Sequence, residues 1–179
     1  MPIKLKIFYT KSVLNKIKKY KTKIIIYFIF TIFIVGNFSL QTKSLSVIDL
    51  NLRKLELAQT TEEVQTGLMY RKNLCSNCGM IFKFEDETKR NFWMKNTLIP
   101  LDIVFIDSKG KINTIHKKTT PLREDLRYSS KEESKYVLEF RGGFSNQYNL
   151  QEGSYLNIDK LLNTAVDFDF SYKNKQKWF

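Results

Sequence analysis

Twelve consecutive residues, Ile24–Val35 (IIIYFIFTIFIV), contain one polar side chain, Thr31. Eight lysines precede the run, from Lys4 to Lys23, and the first acid of the chain is Asp49. With Gly36–Leu40 the stretch reaches 17 residues, the short edge of what crosses a bilayer. A lysine-only flank followed by an apolar run is read by export machinery as an insertion signal with the basic end inside. A buried core helix is the competing reading, but β-branched and aromatic residues cover every face of the run and leave no polar side. The expected organisation is a basic cytoplasmic leader over 1–23, a membrane anchor or signal segment over 24–40 and a polar linker over 41–46. A mainly-β domain over 47–158 and an extra strand and tail over 159–179 complete it. Thr42-Lys43-Ser44 is a poor cleavage site, so an uncleaved inner-membrane anchor and a cleaved signal peptide both stay open. In either case residues from about 45 onward face the periplasm or the exterior.

Charge has to be located before it is interpreted. The formal net charge is +12, from 30 Lys+Arg against 18 Asp+Glu. Nine of the bases, all lysine, lie before residue 45, where there is no acid; the remainder carries 21 bases against 18 acids. A nearly balanced domain excludes a basic nucleic-acid binder as the default. One His and two Cys leave no ligand set for a zinc site, and no metal or cofactor is expected. No G-x-S-x-G, P-loop or dinucleotide fingerprint occurs. The hydrophobic fraction of 42% in 179 residues suffices for one domain with a real core.

Short strands follow one another along that domain. Residues 47–57 change the parity of their apolar positions, which predicts a bulged strand or two short ones. Thr60-x-x-Glu63 is a capping box, so a short helix starts near Thr61 and ends between Tyr70 and Asn73. Strands are expected over 79–85, 91–95, 101–107 and 111–117, the last two joined by the turn Asp107-Ser108-Lys109-Gly110. A long polar loop over 119–135 leads to strand 136–140, a helical turn within 144–150 and a last strand over 155–158. In the tail, Val166, Phe168, Phe170 and Tyr172 alternate with Asp167, Asp169 and Ser171, an amphipathic strand that either adds to an edge of the same domain or meets a protein partner. The expected fold class is a small antiparallel barrel or sandwich with one or two short helices.

The segments QTGLMYRKNL (Gln65–Leu74), GMIFKFEDE (Gly79–Glu87) and FWMKNTLIPLDIVFID (Phe92–Asp107) resemble the family called domain of unknown function 192. Gly110, Pro121 and VLEFRGG (Val137–Gly143) follow in the same order, and the resemblance runs from Lys54 to Ile158. It implies a small mainly-β domain, often exported, with no settled activity. The Cys75/Cys78 pair and the tail after Asp159 depart from the pattern.

The block Phe92–Asp107 also carries the strongest site candidates. If residues 95 and 102 face each other across a hairpin, Trp93, Lys95 and Asp102 form one polar-aromatic patch with Asn96 and Thr97 at its edge. Such a patch suits a small carboxylate-bearing or sugar-like ligand; a structural hairpin pair is the equal alternative. Arg71, just past a helix end, can satisfy helix carbonyls, hold an anion, or pair with Glu139 or Asp102. Glu139, in the apolar strand YVLEF, needs a cationic partner, Arg71 or Lys95. In Cys75-Ser76-Asn77-Cys78 a helix precedes the pair and a strand follows, the reverse of thioredoxin-like order, which favours a structural disulfide over redox or metal chemistry. Three functions follow. One is a binding module at Arg71, Trp93, Lys95, Asn96, Thr97, Asp102 and Glu139. Another is a hydrolase or lyase using Asp102 or Glu139 with Lys95 or Arg71. The third is an envelope interaction module using strand 166–172.

Overall fold

The computed structural model describes residues 10–37 and 47–170. It divides the chain into two units, 1–44 and 45–179. In the first, the helix Lys11–Asn37 (α1) takes in the basic flank and the apolar run together. Among the described residues no helix is long and apolar enough to cross a membrane. The linker 41–46, residues 38–40 of the expected anchor and the tail from Ser171 lie outside the described residues.

The second unit is built on a six-stranded sheet. Its strands are Lys54–Ala58 (β2), Cys78–Thr88 (β3), Leu101–Ile106 (β5), Ile112–His116 (β6), Ser134–Arg141 (β8) and Val166–Asp167 (β10), in the order β10-β2-β3-β8-β5-β6. Two-residue ribbons flank it. Val47–Ile48 (β1) pairs with Tyr155–Leu156 (β9), and Asn91–Phe92 (β4) with Tyr128–Ser129 (β7). Helices Thr61–Thr66 (α2), Phe144–Gln147 (α3) and Ile158–Thr164 (α4) complete the unit.

The expected antiparallel barrel is corrected in two ways. The sheet is open, ending at β10 and β6, and it is mixed: β10-β2-β3 run parallel, the rest antiparallel. The parallel pair follows from the capping box. Thr60 accepts from the Glu63 N–H and the Glu63 carboxylate accepts from the Thr60 N–H, so a helix interrupts β2 and β3 and the chain crosses over instead of turning back.

Each face of the sheet carries its own core. On one, Leu55, Ile81, Val104, Leu138 and Phe140 pack beneath α3, α4 and β9, with Phe140 stacked on Phe144 at 3.8 Å. On the other, Met80, Phe82, Ile103, Phe105 and Val137 pack with Leu68, Met94 and Phe168. Central strand β5 is buried along its whole length because both faces are covered. Burying that row of apolar side chains contributes about 2 kcal/mol for each.

Several element expectations change. The strand 91–95 keeps only Asn91–Phe92 in pairing; Met94 still turns inward and Trp93 outward, but Asn96 takes a left-handed backbone (φ 53°) and ends the extended run. Its partner β7 lies inside the loop 119–135. The strand 155–158 stops at Leu156, because Asn157 caps α4 by accepting from the Lys160 N–H. The tail strand adds parallel to β2 for two residues only; Phe168 is buried and Phe170 packs against the same core.

Candidate functional site

Strand parity decides which acids can meet. In β8, Leu138 and Phe140 point to the helix-covered face, so Val137 and Glu139 point to the other. Glu139 stands in register between Met80 and Ile103, both fully buried. It is itself 4% exposed, and its carboxyl makes no hydrogen bond among the described residues. Burial pushes its pKa up to about 8, with the nearby charge of Arg71 pulling only weakly against it. At neutral pH it is therefore a neutral carboxylic acid.

That carboxyl lies at the base of a cleft of about 380 Å³, in the size range of small-molecule sites. One wall is the turn after α2. Gly67 (φ 47°) lies over the acid: a side-chain carbon there would stand 3.6 Å from the Glu139 carboxyl oxygen and 3.3 Å from the Phe82 ring. The opposite wall is the segment Lys89–Trp93 with Thr97. Edge-on aromatic contacts tie this wall to the core, Phe92 lying 5.0 Å from Phe82 and 5.7 Å from Phe105. The two walls are tied together: the Tyr70 N–H donates to the Asn96 carbonyl (2.8 Å), and the Asn96 amide donates to the Tyr70 hydroxyl (2.7 Å).

The structure brings Trp93, Thr97 and Glu139 to this cleft. Asn96 stands behind, holding the walls. Lys95 sits on the outer side of Trp93, 5.3 Å from the ring, and pairs with Glu124 at 3.2 Å, not with Asp102. The hairpin that would have joined Lys95 to Asp102 does not form, because β5 pairs with β6 and β8 and not with β4. Asp102 is fully buried on the opposite face. Its Oδ1 accepts from the N–H groups of Lys118 (2.8 Å) and Gly143 (3.0 Å), and its Oδ2 from that of Ser145 (2.7 Å). It clamps two loops to the start of β5 and has no route to the cleft.

Arg71 is likewise committed elsewhere. It forks onto Glu56 at 2.8 and 2.6 Å, and Lys54 adds an ammonium at 3.0 Å. Burial works to raise the Glu56 pKa, but the Arg71 bonds and charge outweigh it and hold the carboxyl below its ordinary value. Glu56 and Glu139 thus share one row of the sheet, separated by Met80, with opposite protonation. Cys75 and Cys78, the first residue of β3, stand at disulfide distance, Cα–Cα 5.1 Å. Among the described residues no cluster of His, Cys, Asp or Glu could hold a metal ion.

Sequence reasoning missed Gly67, Phe82, Phe84, Lys89 and Arg90 as cleft residues. The glycine within QTGLMYR was the available signal, since a helix that ends on a left-handed residue prefers one.

An open mixed sheet with a few short helices, one face covered by them and the other holding a buried acid in a cleft, defines a small mainly-β domain, as the sequence led one to expect. The chain belongs to the DUF192 family, described as uncharacterized ACR, whose model matches residues 45–158. A protein from Sinorhizobium meliloti 1021, provisionally described as a transcription regulator, is 38% identical, with a TM-score of 0.55 over 56% of this chain and 78% of that one. A protein of unknown function from Novosphingobium aromaticivorans DSM 12444 is 34% identical, with a TM-score of 0.54 over 56% of this chain and 71% of that one. No curated protein matches the chain.

Proposed function

We propose that this domain is an extracytoplasmic binding module whose cleft takes a small ligand with an aromatic or otherwise flat apolar body and a polar group that reaches Glu139. The observation that carries this reading is the Glu139 carboxyl itself. The carboxyl makes no hydrogen bond among the described residues and lines the cleft, so a ligand that supplied a partner would gain a hydrogen bond there. Phe82, Phe84, Phe92 and Trp93 line the same cleft and supply apolar contact. The compartment is part of the proposal: the lysine-only leader, the apolar run and the paired cysteines all suit export with residues 1–23 left inside.

The test is a titration of the full chain with a library of small aromatic compounds, followed by amide-resonance mapping. Ligands are expected to shift Gly67, Trp93 and Thr97 together. Compounds that bind only elsewhere, or none that bind, would sink the reading.

A second reading has one observation in its favour. A carboxyl with a pKa of about 8 is suited to general-acid work. Among the described residues neither expected partner joins it: Asp102 lies on the other face of the sheet, and Lys95 pairs with Glu124. Turnover of any bound compound, lost in Glu139→Gln, would favour it over binding alone.

A further inference from the structure

The charges around the cleft discriminate among possible occupants. A cationic ligand normally rests on aromatic faces and beside a free carboxylate. Two of the aromatic rings that line the cleft already carry cations: the Arg90 guanidinium lies 3.9 Å over the Phe84 ring, and Lys95 and Arg127 lie 5.3 and 5.1 Å from Trp93. The acids nearby are spoken for as well. Asp86 pairs with Arg90 at 2.7 Å, Glu124 with Lys95 at 3.2 Å and Glu56 with Arg71 at 2.6 Å. Lys89, on the rim, is exposed and enters none of these pairs. Of the charged residues that line the cleft, Lys89 and Arg90 are cationic and Glu139 is the one acid, its carboxyl close to Gly67.

Resting on the binding reading above, we infer that the natural occupant is a small monocarboxylic acid with a flat apolar body, its carboxylate set against the Glu139 carboxyl so that the two share one proton. Two carboxyl groups in one site cannot both ionise cheaply, and an O–H donating to a carboxylate is among the strongest hydrogen bonds a protein makes. The surrounding cations offset the ligand's charge and repel an amine. Glu139 supplies the proton, so this class of ligand binds while the acid is neutral and is released as it ionises.

Three probes of one shape separate the possibilities: benzoate, benzamide and benzylamine. Each is titrated into the full chain carrying Trp178→Phe, so that Trp93 alone reports fluorescence, at pH 6.5 and pH 9. Benzoate is expected to bind at the lower pH and about tenfold more weakly at the higher one, because only a tenth of Glu139 is then neutral. Glu139→Gln keeps an N–H donor and cannot ionise, so its benzoate affinity is expected to vary less than about twofold over the same range. Preference for benzylamine or benzamide, or benzoate affinity independent of pH in the parent protein, overturns the inference while leaving the cleft a binding site. Failure of all three probes, together with a blank library screen, overturns both. The parent titration decides the matter even if the variant does not fold.

Discussion

Glu139 and Glu56 are the same residue type on the same face of one sheet, two strands apart, and they are held in opposite protonation states. The difference is whether a guanidinium is within reach. Glu139 has a folded pKa of about 8 against an ordinary 4.5, so between those values the folded state holds a proton that the unfolded state has lost. Stability contributed through this group is therefore full below 4.5, falls as pH rises toward 8, and is flat beyond. Glu139→Gln removes that slope. Its thermal midpoint is expected to exceed that of the parent at pH 8.5, with the gap closing toward pH 5; a gap that does not change with pH would contradict the assignment. Glu56 has the reverse sign: its depressed pKa gives stability that is present above 4.5 and lost as pH falls through the folded value. Arg71→Ala leaves a carboxylate that is 4% exposed with Lys54 and the Asp169 N–H still against it but without its guanidinium fork. It is expected to cost about 3 kcal/mol in urea unfolding, and Glu56→Gln added to it to restore part of that loss. Equal midpoints for the single variant and the parent would show the fork to be idle.

At the scale of elements, what could be read ahead was what depends on local spacing. The capping box at Thr60 and Glu63, the turn at Asp107–Gly110 and the doubly buried strand through Val104 all follow from neighbours in sequence. What could not be read was cross-strand register. Alternation says that Asp102 and Ile103 point opposite ways, but not which of them shares a face with Glu139. The pairing of Ile103 with Glu139 and of Asp102 with Phe140 puts the two acids on opposite sides, and no period within either strand carries that information. The same limit separated Lys95 from Asp102. It also hid the parallel contact of β10 with β2, which places Phe168 against the cleft-side core. Helix α4 was hidden for a different reason. Its seven residues are too few to show a period, and its cap, Asn157, falls inside the segment 155–158 that reads as a strand.

For the molecule as a whole, the two faces of the sheet divide the labour. The helix-covered face is tied shut, with Asp102 holding both loops that cross its end. The other face has room left over at Glu139, and the segment from Gly67 through Arg71 to Cys75 runs along that side before the chain enters β3. A bond between Cys75 and Cys78 closes a loop of four residues, which in the chain-entropy account contributes about 2 kcal/mol, and it persists only in an oxidising compartment. Compartment and stability are therefore linked through one pair of residues, both of them in the unit that the leader is proposed to export. The chain has two cysteines, both here, so they report orientation without engineering. Spheroplasts expressing the full chain, treated with a membrane-impermeant phosphine and then an impermeant maleimide, are expected to label this pair, and omission of the phosphine to abolish the labelling. Labelling that appears only after lysis would place residues 45–179 on the cytoplasmic side, and the proposal of an exported module would fall with it; labelling of intact spheroplasts without reductant would keep the location and overturn the disulfide.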